Sequence, residues 1–139
     1  MENETAIRIA AEPELTVEEF RAVLVASTLG ERRPVDEPER LERMLREADL
    51  IVTARDGVRL VGVSRAVTDF AYCCYLSDLA VDVAYQRQGI GKRLVAETHR
   101  LAGVEETTLV LTAAPAAEGY YGKIGMQPVA SAWMVRRRR

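Results

Sequence analysis

The chain has 139 residues, near the commonest size of a single domain. Hydrophobic residues make up 48% and charged residues 29%, which excludes disordered, collagen-like and disulfide-stapled classes. With 19 basic against 21 acidic residues, a net charge of −2 creates no global field toward nucleic acid or an anionic membrane.

In chain order, Ile7-Arg8-Ile9 opens a short strand over Ala6–Ala10. Thr16-Val17-Glu18-Glu19 reads as a capping box, with the threonine hydroxyl serving the N3 amide and Glu19 reaching back. A helix through Phe20, Val23, Leu24 and Ser27 follows and closes near Gly30. After a polar loop at 32–37, Pro38 suits a first helical turn. Leu41, Met44, Leu45 and Ala48 then define one apolar helix face. Leu50–Ala54 is β-rich, Asp56-Gly57 is a hairpin signal, and Leu60–Val67 is the returning strand. Asp69 opens a second turn before a long strand, Tyr72–Val83. A glycine-containing loop, Gln86–Gly91, leads into a helix that stops at Gly103. Thr108–Thr112 is a strand, Ala116–Ile124 a short helix, and Val129–Val135 a closing strand.

The order β-α-α-β-β-β-α-β-α-β implies an α/β (α+β) domain spanning 1–139 and ending in a basic tail, Arg136–Arg139. Tight turns make the central sheet mixed and mostly antiparallel, and the strand-helix-strand stretch adds a right-handed parallel crossover. Cys73 and Cys74 are adjacent, so a bond between them is badly strained, and the single histidine, His99, offers no metal-ligand spacing. We therefore expect a reducing, cytoplasmic setting and no metal. Met1-Glu2-Asn3-Glu4 lacks the basic and apolar regions of a secretion signal, and no apolar run approaches the roughly 20 residues of a membrane span.

The segment from Leu79 to Leu94 carries the chemistry. A strand enters a loop with Gly89 and Gly91, and the loop opens directly into a helix. Unpaired N–H groups and a partial positive charge at a helix start make a cradle for a pyrophosphate, with Arg87, Lys92 and Arg93 beside it. Neither nucleotide fingerprint fits. Leu94 stands where a dinucleotide site needs glycine, and Gly91-Lys92 is followed by Arg93 rather than by the serine or threonine of a P-loop.

Gln86-Arg87-Gln88-Gly89-Ile90-Gly91 is similar to the Q/R-x-x-G-x-G/A loop of the GNAT superfamily of N-acetyltransferases. Leu79-Ala80-Val81 resembles that family's strand leading into the loop, and Tyr120-Tyr121-Gly122-Lys123-Ile124-Gly125-Met126 resembles its late tyrosine segment. Three positions depart from the family pattern: Val83 stands for proline, Met126 for an aromatic residue, and Ala113-Ala114-Pro115 supplies no side-chain amide near the pantetheine.

The resemblance implies acetyl-CoA as donor and an amine of a small molecule or protein as acceptor, with direct transfer between them. It implies that Leu79, Ala80 and Val81 line the pantetheine arm, and that Gln86, Arg87, Gln88, Gly89, Ile90, Gly91 and Lys92 hold the pyrophosphate. Tyr121 matches the family's general acid, which protonates the departing thiolate. Asp78 and Asp82, four residues apart on the strand, are candidate proton relays, and either is equally an ordinary hydrogen-bonded carboxylate. Acceptor recognition is expected from 29–37 and from Val129–Val135 with Trp133. The terminal strand also suggests a homodimer through an exposed edge. Nucleic acid and membrane are not expected partners. The rival reading is a non-catalytic acyl-CoA-binding regulatory module, which has no need of Tyr121.

Overall fold

Thr16 starts the first helix as its spacing predicts. In the computed structural model, which describes residues 6–139, its hydroxyl accepts from the Glu19 N–H at 3.1 Å, and α1 runs Val17–Ala26. The acidic opening Met1–Glu4 lies outside the described residues. The carboxylate of Glu19 does not simply close the capping box; it engages Arg55 at 2.9 Å. Ser27 ends the helix, Thr28 takes a left-handed φ of 73°, and a 3-10 turn at Leu29–Arg32 follows. Pro38 opens α2, Pro38–Arg46, from the first turn, where its missing N–H costs nothing.

The sheet has five strands in sequence order: β1 Ile7–Ala11, β2 Leu50–Asp56, β3 Arg59–Thr68, β4 Cys73–Val81 and β5 Thr108–Val110. The first four pair antiparallel, and β4 and β5 are parallel. The crossover between those two is α3, Ile90–Ala102. The mixed, mostly antiparallel sheet with one parallel strand-helix-strand unit is as expected. The β2–β3 turn uses Gly57 at a φ of 63°, and the β3–β4 turn is organised by Asp69, whose carboxylate accepts from the amides of Ala71, Tyr72 and Cys73.

Each face of the sheet buries its own core. Phe20, Val23, Leu24, Leu41 and Leu45 of the first two helices pack on Ile51, Val63 and Ala80. On the other face Ile90 and Leu94 of α3 pack on Val52, Ala54 and Val61. At about 1.5–3 kcal/mol per fully buried aliphatic or aromatic side chain, these two layers carry the stability. Gly62 lets α3 settle closely: a Cβ there lies 3.1 Å from the Leu94 side chain and 3.3 Å from the Ala80 carbonyl.

The C-terminal half corrects two expectations. The predicted helix at 116–124 divides into a 3-10 turn, Pro115–Ala117, and α4, Glu118–Lys123. The predicted closing strand Val129–Val135 does not form: no strand follows α4. A strand needs a partner edge for its backbone groups, and the outer edge of β5 is only three residues long, too short to pair a strand of that length. The chain end runs instead to α2, where Arg139 reaches Glu37 at 2.9 Å and its carbonyl accepts from Arg40.

Candidate active site

The site forms where β4 parts from β5. The parallel pairing covers only Cys73–Tyr75 against Thr108–Val110, and β4 then runs on to Val81 without a neighbour on that side. The Tyr75 hydroxyl bridges to the Thr112 hydroxyl at 3.0 Å, just past the end of the pairing. Which backbone groups face the opening follows from the ladder with β3. The Asp82 N–H donates to the Val61 carbonyl. Antiparallel pairs alternate, so Ala80 turns its N–H and C=O to β3, while Leu79 and Val81 turn theirs to the side that β5 has left. Of the three strand residues expected to contact the donor, only Leu79 and Val81 thus offer backbone groups. The Val81 carbonyl accepts from the Gln86 side chain at 2.9 Å.

Leu79 and Val81 face α3, although simple alternation from Cys74, which packs against Ala102 of α3, puts them on the other face. The cause is a bulge. On β3, Arg65 opposes Asp78 and Ala66 opposes Leu76, so Ser77 is an extra residue that reverses the parity of the strand. Sequence reasoning missed it; the visible trace was a Ser-Asp pair inside an otherwise apolar strand.

The loop after β4 is anchored at its start. A 3-10 turn at Val83–Tyr85 is capped by Asp82, which accepts from the Ala84 N–H and from Arg59. The Tyr85 hydroxyl donates to Asp56 at 2.7 Å, and its ring lies under the Arg59 guanidinium. Arg87 and Gly89 both take left-handed conformations, with φ of 69° and 82°. Gly89 is the N-cap of α3 and offers no side-chain cap. The first-turn amides of α3 are therefore left for an incoming acceptor. Arg87, Gln88 and Lys92 are exposed around them, and Gly91 and Ile90 are buried. Arg93 turns away to the Ile7 carbonyl at 3.0 Å.

α4 faces this helix start. The Tyr120 hydroxyl lies so close to Gly91 that a Cβ there would overlap it. Burial raises the Tyr120 phenol above the usual tyrosine range, and the nearby Lys92 backbone amide works against that rise. Tyr121 packs edge-on against Tyr120, with ring centroids 5.2 Å apart. Burial pushes the Tyr121 phenol above the usual tyrosine range, the neighbouring Tyr120 adds to this, and Arg33 opposes it.

Asp78 is fully buried, and both of its oxygens accept from arginines: Arg33 Nε on one and Arg65 Nε on the other. It does not share a setting with Asp82, which serves the turn above. His99 hydrogen-bonds to the Thr107 carbonyl at 2.8 Å.

A family model described as the acetyltransferase (GNAT) domain matches residues 22–135. The chain belongs to the GNAT acetyltransferase family. Among solved structures, a GNAT family acetyltransferase from Streptococcus pneumoniae is 26% identical, with a TM-score of 0.75 over 95% of this chain and 100% of the other. The aminoglycoside N-acetyltransferase AAC(6')-Iy, solved in complex with CoA, is 16% identical with a TM-score of 0.76, covering 100% and 99%. An aminoglycoside acetyltransferase from an uncultured soil metagenomic sample, solved with sisomicin, is 20% identical with a TM-score of 0.67, covering 94% and 97%. No curated protein matches the chain by sequence. The parted strands, the glycine-opened helix and the tyrosine helix of this GNAT domain thus lie in a fold shared over nearly its whole length.

Proposed function

We propose that the protein is an acetyl-CoA-dependent N-acetyltransferase that moves the acetyl group directly to an amine of a small molecule or protein. One observation carries the reading. The outward-facing backbone of Leu79 and Val81 leads through the loop at 82–89 to a helix start without a side-chain cap, and α4 sets Tyr120 over Gly91 with Tyr121 packed against Tyr120. The pyrophosphate of the donor suits the amides from Arg87 to Lys92, and the pantetheine arm suits the backbone of Leu79 and Val81. Gln86 yields the Val81 carbonyl when the arm arrives.

The neutral acceptor amine attacks the thioester carbon. A tetrahedral oxyanion forms, collapses to the amide and expels the CoA thiolate. Tyr121 gives that sulfur its proton and regains one from solvent; the proton lost by the nitrogen goes to water. A phenol with a raised pKa is fully protonated at neutral pH and ready to donate. For Asp78, complete burial and two arginine partners support a structural role in place of proton abstraction. Acceptor binding falls to 29–37 and the C-terminal segment. There Asp36 is exposed, 3.9 Å from Arg21, and Glu37 is shared between Arg40 and Arg139.

The protein is read as one domain, 1–139, with the 136–139 tail as its solvated end. Both cysteines are free, which supports the cytoplasm as its setting. No helix among the described residues is long and apolar enough to cross a membrane. The exposed apolar C-terminal segment supports a homodimer. Incubation with acetyl-CoA and a panel of primary amines, reading free thiol and acetylated product by mass, tests the activity. Thiol release that depends on amine is expected. CoA binding without any turnover across the panel would favour a binding module instead.

A further inference from the structure

We propose that Arg33 and Arg65 are positioning residues: together they clasp the Ser77 bulge of β4 and so keep the Leu79–Val81 backbone turned toward the acyl donor. The inference rests on the acetyl-CoA reading above and adds to it what holds the donor strand in place.

The bulge lies at the weakest point of β4. Pairing with β5 has ended two residues earlier, at Tyr75, and Ser77 has no opposing residue on β3. An extra residue in a ladder leaves backbone groups unpaired and bends the strand. Here the gap is filled by side chains. Arg33 Nη2 donates to the Ser77 carbonyl at 2.8 Å while its Nε engages Asp78. From β3, Arg65 Nη2 donates to the Ser77 hydroxyl at 3.0 Å, its Nε engages the other oxygen of Asp78, and its Nη1 reaches the Met44 carbonyl at 3.3 Å. Two planar forks thus grip two successive residues, one from the loop before α2 and one from the adjacent strand. Lysine has no such fork.

The clasp determines orientation. Without the extra residue, Leu79 and Val81 fall in the opposite parity, and the backbone groups now facing the opening turn into the β3 ladder. A fully buried carboxylate is costly unless it is paired, and replacing such a group with apolar residues often improves stability. Its use here is to fix one register of β4. Arg33 also belongs to the 29–37 segment on the acceptor side, so one side chain ties that segment to the donor strand.

The test separates the pantetheine strand from the pyrophosphate cradle. Arg33→Met and Arg33→Lys are compared with the wild type by calorimetry against CoA and against 3'-phosphoadenosine 5'-diphosphate, which keeps the pyrophosphate and lacks the pantetheine arm. Arg33 is partly exposed, so the variants are expected to fold, as cooperative thermal unfolding will check. CoA affinity should fall about tenfold in Arg33→Met, the worth of one hydrogen bond to a charged group. Arg33→Lys should recover little, because charge alone does not bridge Asp78 and the Ser77 carbonyl. Affinity for the phosphoadenosine diphosphate should stay within twofold. Should Arg33→Met not fold, Arg33→Lys carries the same comparison. Wild-type CoA affinity in a folded variant, or equal loss of both ligands, overturns the clasp. A wild type that binds neither ligand overturns the acetyl-CoA reading and the clasp with it.

Discussion

Tyr120 and Tyr121 are neighbours in sequence with different tasks. The Tyr120 hydroxyl sits over Gly91, whereas Tyr121 is half-buried with its phenol held protonated by its surroundings. Tyr121→Phe keeps the ring and removes the donor. Turnover should fall by roughly 10²–10⁴, the usual contribution of one general acid, while CoA binding stays within a few-fold. Stopped-time thiol release and calorimetry on the same preparation check both quantities, and wild-type turnover would remove Tyr121 from the mechanism. Because the acid must carry its proton, and burial raises its pKa, wild-type activity should not decline through this group until pH passes the ordinary tyrosine value of about 10. Gly91→Asp places a Cβ against the Tyr120 hydroxyl and a negative charge where the pyrophosphate is expected. CoA binding should be lost with cooperative unfolding retained; wild-type affinity in the folded variant would remove the cradle assignment. Both tyrosines and both loop glycines were readable in the sequence, because each belongs to a short contiguous motif. The Ser77 clasp was not, since Arg33 and Arg65 lie 44 and 12 residues from the residue they hold.

Elements were legible wherever a local signal starts or stops them. Thr16, Pro38, the Asp56-Gly57 turn and Gly103 each mark a boundary within a residue or two. The signals failed where an element depends on a distant partner. The bulge in β4 needs β3 to be visible, and the tail after α4 has β-compatible residues but only the three-residue edge of β5 beside which to pair. Long-range charge pairs were equally hidden. Arg55 of β2 links Glu12, just past β1, to Glu19 of α1. Its hydrogen bonds hold the Glu12 carboxyl below the ordinary glutamate range. A depressed folded-state pKa contributes stability above the unfolded value and loses it as pH falls through the folded one. Glu12→Gln should therefore lower the melting temperature at pH 7 and lose that difference progressively as the solution is acidified below pH 4.5, the unfolded reference. Thermal melts of both proteins across pH 3–7 give the comparison; a constant offset would mean that shape rather than charge holds the contact.

At the scale of the whole molecule, a helical layer covers each face of the sheet and the C-terminal segment stays exposed. Val129, Trp133, Met134 and Val135 are 58–99% exposed, and together they make an apolar stretch that none of the described residues covers. Such stretches on soluble proteins commonly mark a contact with another molecule. A second copy of this chain presents the same segment, and a two-fold contact lets each copy cover the other. A stable pair needs about 800 Å² from each partner, more than a short tail supplies alone, so other exposed apolar residues, such as Val110 of β5, should join it. Trp133 is the only tryptophan and is 95% exposed in one chain, which makes it a clean reporter. At micromolar concentration, light scattering should give twice the chain mass. Tryptophan emission should shift to the blue as concentration rises, and acrylamide quenching should weaken in step. Trp133→Ala should return the mass to that of one chain with the thermal transition unchanged, since the side chain supports nothing in its own fold. A single-chain mass with water-like emission at every concentration would leave the segment available for the acceptor alone.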